Sequence, residues 1–365
     1  MYTIVKHLQT ITTAALITLL AVSCKHDDLL VPKPNENIRP AADFIRNNYD
    51  FRLLYAALDY TGLVNELNGD GPFTILAVPD QGFNALGILT EAQVRNLNKD
   101  SLRHALLYHV LKKRRLKTTD IPTNGIDIRF ETMAGESVYS SAITRDNSYY
   151  FDGARIVRND IVLANGVLHV LNKMMQYQKG KTVKDFLAAQ PQYSLFVAAL
   201  KKTGKWDELS QRGPFTIFAP SNEAFTKQGL TLEAINELNP VIYNLDRLIG
   251  CYILYGKHFF VSDQAIFKAI GAEYVYKNEL RNDDWFIQFG TNLMKNNPGD
   301  VFFTPFPELS LWKPNPDIPQ LPDRIGIVEQ NYSKPRPLSG YDKLCENGIV
   351  HDLHGLVALP ADVIK

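Results

Sequence analysis

The chain has 365 residues, enough for two or three domains, and a hydrophobic content of 45 %, enough for substantial cores. Its 39 basic and 39 acidic residues cancel, which removes the overall charge field expected of a nucleic-acid-binding protein or of one built around a strongly acidic ligand. A local charged patch is compatible with that balance.

In chain order, the first element is a leader. Lys6 and His7 precede TITTAALITLLAVSC, an apolar run too short to span a bilayer, with small residues before Cys24. Residues 1–23 resemble a bacterial lipoprotein signal, which implies that Cys24 becomes the lipidated first residue of the mature chain. Ala21 stands three places before the cysteine, where that pattern prefers Leu, and Leu20 lies one place earlier. Asp27 and Asp28 resemble the export signal of Bacteroidetes surface lipoproteins, with Lys25 and His26 intervening. The resemblance implies attachment to the outer membrane through the lipid and exposure at the cell surface. Residues 24–40 then read as a tether, since LLVPKPNENIRP carries three prolines and little periodicity. Two cysteines remain, Cys251 and Cys345. The location permits a disulfide, but isolated cysteines in apolar settings read more simply as buried thiols.

The rest of the chain repeats itself. DFRLLYAALDYTGLVNEL is matched 142 residues later by QYSLFVAALKKTGKWDEL. Leu53, Leu54, Ala57 and Leu58, with their counterparts Leu195, Phe196, Ala199 and Leu200, fall on one helix face, and Gly62 or Gly204 ends the helix. GPFTILAVPDQGF from Gly71 then recurs as GPFTIFAPSNEAF from Gly213. Each holds a short apolar run that predicts a buried strand, closed by Pro79 or Pro220. Asp80 and Asn222 are placed to cap the short helix that follows. Thr90 and Gln93 have capping-box spacing. RHALLYHVLKKRRLKTTD is answered by DRLIGCYILYGKHFFVSD, and NDIVLANGVLHVLNKMM, a strand–Asn-Gly–strand pattern, by CENGIVHDLHGLVALP. Two α+β units result, 41–177 and 178–365.

The ordered set TILAVPDQGF, LLYHVL and NGVLHVLNKMM resembles the fasciclin (FAS1) domain, and it occurs twice. The resemblance implies two domains, each a β-sandwich-like sheet wedge with flanking helices. It also implies adhesion or extracellular binding, with no catalytic centre specified by the motifs.

Tyr108 and His109 match the family's Tyr-His motif, tied in relatives to adhesive binding and to fold integrity. The second copy has Cys251 and Tyr252 there, which favours packing over a duplicated binding function. His169 and His351 follow the two Asn-Gly turns and read as hydrogen-bonded structural histidines. His351 and His354 point to opposite faces of a strand at that spacing, so no metal site is expected. No catalytic motif is present in either copy, and no cofactor is implied. The KKRR run at 112–115 reads as a solvated face, with contact to an acidic glycan or a membrane surface as the sharper alternative. The second copy is longer by 39 residues, mostly between Asn278 and Leu338. Trp285, Phe286, Phe289, Phe303, Phe306 and Trp312 there either pack the insertion down or face a partner, and core packing is the simpler reading. Trp285 and Trp312 are nevertheless the candidates for a recognition surface specific to this chain. Taken together, the sequence points to a non-enzymatic cell-surface adhesion or binding lipoprotein whose partner is an extracellular protein or glycan. The alternative is an accessory binding lipoprotein of an outer-membrane glycan or nutrient uptake system.

Overall fold

The computed structural model describes residues 38–143, 147–271, 277–281, 283–295, 303–318, 320–328 and 340–365, excepting the side chains at 268, 277 and 290–307. Cys24, the leader and nearly all of the tether lie outside the described residues, as do the side chains of Phe303 and Phe306. Arg39–Lys365 forms one compact unit.

The first repeat contributes β1 (Phe73–Ala77), β2 (Val110–Leu111), β3 (Gly125–Glu131), β4 (Ser137–Ile143), β5 (Ser148–Phe151), β6 (Ala154–Leu163) and β7 (Gly166–Leu171). They form a seven-stranded sheet in the order β2-β1-β7-β6-β5-β4-β3. β1 is an interior strand, paired on both sides, and from Thr74 onward it is buried, which is why its sequence is an apolar run rather than an alternation. Register shifts at Arg158 bend β6. The helix Arg52–Thr61 covers the sheet with Leu53, Leu54, Ala57 and Leu58, and stops at Gly62 with φ of 75°.

The second repeat builds a five-stranded sheet from β8 (Gln176–Gln178), β9 (Phe215–Pro220), β10 (Ile253–Tyr255) and two later strands, β15 (Lys343–Cys345) and β16 (Gly348–Leu353). The order is β10-β9-β16-β15-β8. β9 holds the place of β1, with an antiparallel neighbour in β10 and a parallel one in β16. The 177/178 boundary read from the sequence falls inside β8, which pairs with β15 and so belongs to the second sheet. The matching helix, Ser194–Lys202, buries Phe196, Ala199 and Leu200, while Leu195 is only partly buried.

The repeated Gly-Pro opening has a steric cause. A Cβ on Gly71 would lie 1.9 Å from the Asn165 carbonyl oxygen, and one on Gly213 would lie 1.9 Å from that of Asn347. Each Asn-Gly turn therefore presses directly on the start of β1 or β9. The asparagine side chains tie the turns down. Asn165 Oδ1 accepts from Ala41 N, and its Nδ2 donates to Leu67 O and Gly69 O. Asn347 repeats the arrangement with Val183 N, Leu209 O and Gln211 O.

Asp80 and Asn222 do not cap the helices that follow them. The caps are Pro79 and Ser221, and the expected residues occupy the first helical position. Their side chains reach back instead to the long helix, where Asp80 Oδ1 accepts from Leu53 N and Asn222 Oδ1 from Leu195 N. Both satisfy helix N-terminal donors that lack an intrahelical acceptor. The Thr90–Gln93 capping box forms.

The added length of the second repeat is strand. β11 (Lys277–Glu279), β12 (Phe286–Lys295), β13 (Phe303–Lys313) and β14 (Asp323–Val328) make an antiparallel four-stranded sheet in that order. Ile287, Phe289, Leu309 and Leu311 alternate into the core of the second repeat and meet Val328. Truncating the buried helix residues, Leu54→Ala in the first repeat and Phe196→Ala in the second, should each cost roughly 2–5 kcal/mol in chemical denaturation. A loss below about 1 kcal/mol at either site would show that its helix face is misassigned.

Candidate functional site at the junction of the two repeats

Both repeats contain the same buried device. Asp160, in a left-handed conformation within β6, donates its N–H to His169 Nδ1, and His169 Nε2 donates to Leu116 O. Asp342 does the same with His351, whose Nε2 donates to Phe259 O. One nitrogen accepting and the other donating fixes each imidazole as neutral. Burial holds both histidines below their ordinary pKa, so the neutral form is also the favoured one.

The two devices differ in what the aspartate carboxylate does next. In the first repeat Asp160 takes the N–H and the hydroxyl of Thr118. At the matching place in the second repeat stands Val261, which offers Asp342 its N–H but has no hydroxyl. The freed oxygen is claimed across the junction by Lys173 of the first repeat, with Nζ to Oδ2 at 2.5 Å and both side chains buried. Gly153 of the first repeat backs onto the same carboxylate, and a Cβ there would lie 2.3 Å from Oδ2. Only glycine fits, because the position also has φ of 72°.

Tyr108 belongs to this junction. Its hydroxyl donates to Asp152 Oδ2 at 2.6 Å, and its ring stacks on Tyr177 at 5.1 Å. Asp152 also accepts from Tyr139 N, and Tyr139 packs against His258 and Phe260 of the second repeat. His109 is likewise buried. Its Nδ1 donates to Ala105 O and its Nε2 accepts from Met175 N. In the second repeat Tyr252 replaces it, and the Tyr252 hydroxyl accepts from Val357 N, the counterpart of Met175. A histidine nitrogen and a phenol oxygen thus satisfy the same backbone donor. Cys251, in the place of Tyr108, is a buried free thiol, as is Cys345. In this structure Tyr108 and His109 are packing groups that offer no surface to a ligand.

The two candidate tryptophans separate. Trp285 is buried at 7 % exposure in the second core, with Arg247 over its ring at 4.2 Å. Trp312 is half-buried on the opposite face of the four-stranded sheet, stacked on Phe286 and donating its Nε1–H to Ser310 Oγ. The structure does not bring Tyr108, His109 and either tryptophan together at one site.

The surface carries two adjoining open clefts, the first at the junction and the second wholly within the second repeat. One, of about 440 Å³, lies between Asp127, Arg129 and Tyr139 of the first repeat and His258 and Glu346 of the second. The other, of about 660 Å³, is lined by Glu208, Tyr255, Asn278 and Arg281. They share Arg212, Gly213, Pro214, Gly256 and Lys257. Apart from Gly213 and Pro214 of the repeated motif, the cleft residues named here carried no sequence signal beyond their type. The nearest available hint was the absence of Thr118's hydroxyl at Val261, which marks where the second repeat turns to the first.

The junction is also acid-rich. Asp263, at the start of the helix Val261–Ala269, is pushed up to about 8 by burial, and Asp152 to about 7. A carboxyl raised in this way stabilises the fold when protonated. Its contribution is complete below the ordinary carboxylate range and is lost as pH rises through about 8. Asp263→Asn removes that loss. Relative to the unsubstituted protein, the variant should gain at least about 1 kcal/mol between about pH 5 and about pH 9 in urea unfolding. An unchanged gap would contradict burial of an ionisable Asp263.

A family model of the fasciclin domain matches residues 49–177 and 191–283, so the second match ends just before β12. Human periostin is 32 % identical over 175 residues, covering 46 % of this chain and 20 % of periostin. The transforming growth factor-beta-induced protein ig-h3 of Sus scrofa is 29 % identical over 182 residues, covering 48 % of this chain and 23 % of that protein. The chain thus spans about a fifth of the length of these relatives. Among solved structures, the FAS1 domain pair of the insect cell adhesion molecule fasciclin I is similar, with 16 % identity, a TM-score of 0.35, and coverage of 86 % of this chain and 97 % of that one. With two matched segments that together span more than half of its residues, the chain belongs to the fasciclin-domain family and carries the domain in tandem.

Proposed function

We propose that this protein is a non-enzymatic adhesion or extracellular binding lipoprotein, held in the outer membrane by a lipid on Cys24 and exposed at the cell surface. The observation that carries the reading is the division of labour at the junction. The ionisable groups gathered there (Asp152, Lys173, Asp342, His351) are turned inward and partnered with one another or with backbone. The outward side is an open polar cleft. Such an arrangement holds two domains in fixed relation and presents a surface, and a fixed, prearranged surface lowers the ordering cost of binding. Membership of the fasciclin family supports the adhesive class.

A second reading, an accessory binding lipoprotein of a glycan or nutrient uptake system, draws on Trp312. Its half-buried ring sits beside Arg324, 5.7 Å from the ring centroid, on β13, which lies beyond the matched family segments. Screening the protein against matrix proteins and glycans separates the two. Loss of glycan binding in Trp312→Ala, with unfolding unchanged, favours the uptake reading, and protein ligands indifferent to Trp312 favour adhesion. Anchoring is tested separately: Cys24→Ala should release the protein from membranes or trap its precursor on fractionation. A mature N-terminal peptide that runs unmodified upstream through Ser23 would refute lipid attachment.

A further inference from the structure

The junction cleft and its neighbour in the second repeat share a wall whose two cations make no ion pair among the described residues. Around that wall most acids are already engaged. Asp127 pairs with Arg129 at 3.3 Å and faces His258 at 3.4 Å. Glu208 accepts from Tyr255 and Arg281, and Glu346 accepts from Tyr177 and from Gly180 N. Glu279, which lines only the larger cleft, and Glu346, which lines only the smaller, make no ion pair among the described residues. On the shared wall, Lys257 Nζ donates to a neutral amide, Asn278 Oδ1, at 2.6 Å. Arg212 is exposed and makes no ion pair among the described residues. Two cations therefore stand without a direct ion-pair partner where the clefts meet, with unspent hydrogen-bond donors.

The repeat supplies an internal comparison. Lys257 lies in the turn after β10, and the corresponding turn after β2 in the first repeat is the KKRR run. The backbone matches: Thr216 Oγ1 donates to Lys257 O as Thr74 Oγ1 donates to Arg114 O. Gly256 and Lys113 both have positive φ, at 70° and 50°. The KKRR side chains are fully exposed, whereas Lys257 is recessed into a concave wall. The same structural position is cationic in both repeats, but only the second sets it in a cleft.

We infer that the wall formed by Arg212 and Lys257 binds an acidic polysaccharide, laid across both clefts with a carboxylate or sulfate at the wall. This rests on the extracellular binding role proposed above and names its ligand class. The recess favours a thin extended chain over a flat membrane. The clefts are open, and about half of their lining residues are charged or amide side chains, donors and acceptors together, which suit sugar hydroxyls. A peptide would instead seek apolar anchor pockets. Salt should weaken the contact, since the two cations are within reach of solvent.

The experiment measures binding of the full chain to polygalacturonate and to dextran sulfate, with neutral dextran and poly-glutamate as comparators, at low and at moderate salt. At least one of the acidic polysaccharides should bind, more weakly as salt rises, and dextran should not. Arg212→Ala combined with Lys257→Ala should weaken that binding about tenfold or more with the unfolding midpoint unchanged. Arg212→Lys should retain part of it, and Lys112→Ala with Arg115→Ala should leave it intact. Failure of both acidic polysaccharides to bind, equal binding of dextran, or tighter binding of poly-glutamate would overturn the inference. So would a loss caused by the first repeat's turn rather than the cleft. The broader binding role has its own readout in the matrix-protein and glycan screen: a ligand found there and indifferent to Arg212 and Lys257 would leave that role standing while removing this site.

Discussion

A buried ammonium and a buried carboxylate from different repeats, Lys173 and Asp342, hold the centre of the molecule. Neither can leave without stranding the other's charge in a low-dielectric setting, a cost of about 3–5 kcal/mol when such a pair is broken from one side. Their position dictates much of what surrounds them. Gly153 must lack a side chain because the Asp342 carboxylate occupies that space. The helix Val261–Ala269 starts on the same carboxylate and drives Ile266 against Ile143 and Tyr150 of the first repeat. Tyr139 of the first repeat and Tyr177 of β8 complete the contact around Phe260 and Leu344. Burial of this kind makes the junction a core rather than a hinge, and the clefts on its surface inherit that rigidity.

The tandem fold was legible in the sequence because its determinants are local and duplicated. Gly71 and Gly213, the apolar runs after them and the two Asn-Gly turns each report a backbone demand that side chains at fixed spacing must meet. The junction was not legible, for an equally specific reason. It depends on Val261 lacking the hydroxyl that Thr118 supplies, so that Asp342 turns to a lysine 169 positions away. No periodicity records such an exchange of partners. The four-stranded sheet lies between these cases. Its length was visible as an offset, and the alternation of Ile287 and Phe289 with Gln288 was there to be read as a strand. The prolines at 305, 307, 314 and 316 are residues that strand interiors disfavour, yet Pro305 and Pro307 lie within β13. At Asp80 and Asn222 the residue types were right but their service was not, since they serve a neighbouring helix that only the tertiary fold brings near.

Duplication has left the two repeats with one framework and unequal duties. The first donates Tyr108, Asp152 and Lys173 to the junction. The second answers with Asp342, Phe260 and the long helix, and spends its added residues on a sheet the first does not possess. At the position of Tyr108 the second repeat needs no partner outside itself, and a small buried thiol suffices.

The exchange of His109 for Tyr252 reaches beyond packing. Burial lowers His109 to about 4, and the nitrogen that accepts from Met175 N is the one an added proton would occupy. In strong acid that clasp would turn from acceptor to donor and push against the backbone it holds. Tyr252 has no proton to gain there. At this position the two halves of the molecule are therefore fastened by chemically different knots, one that acid can untie and one that it cannot.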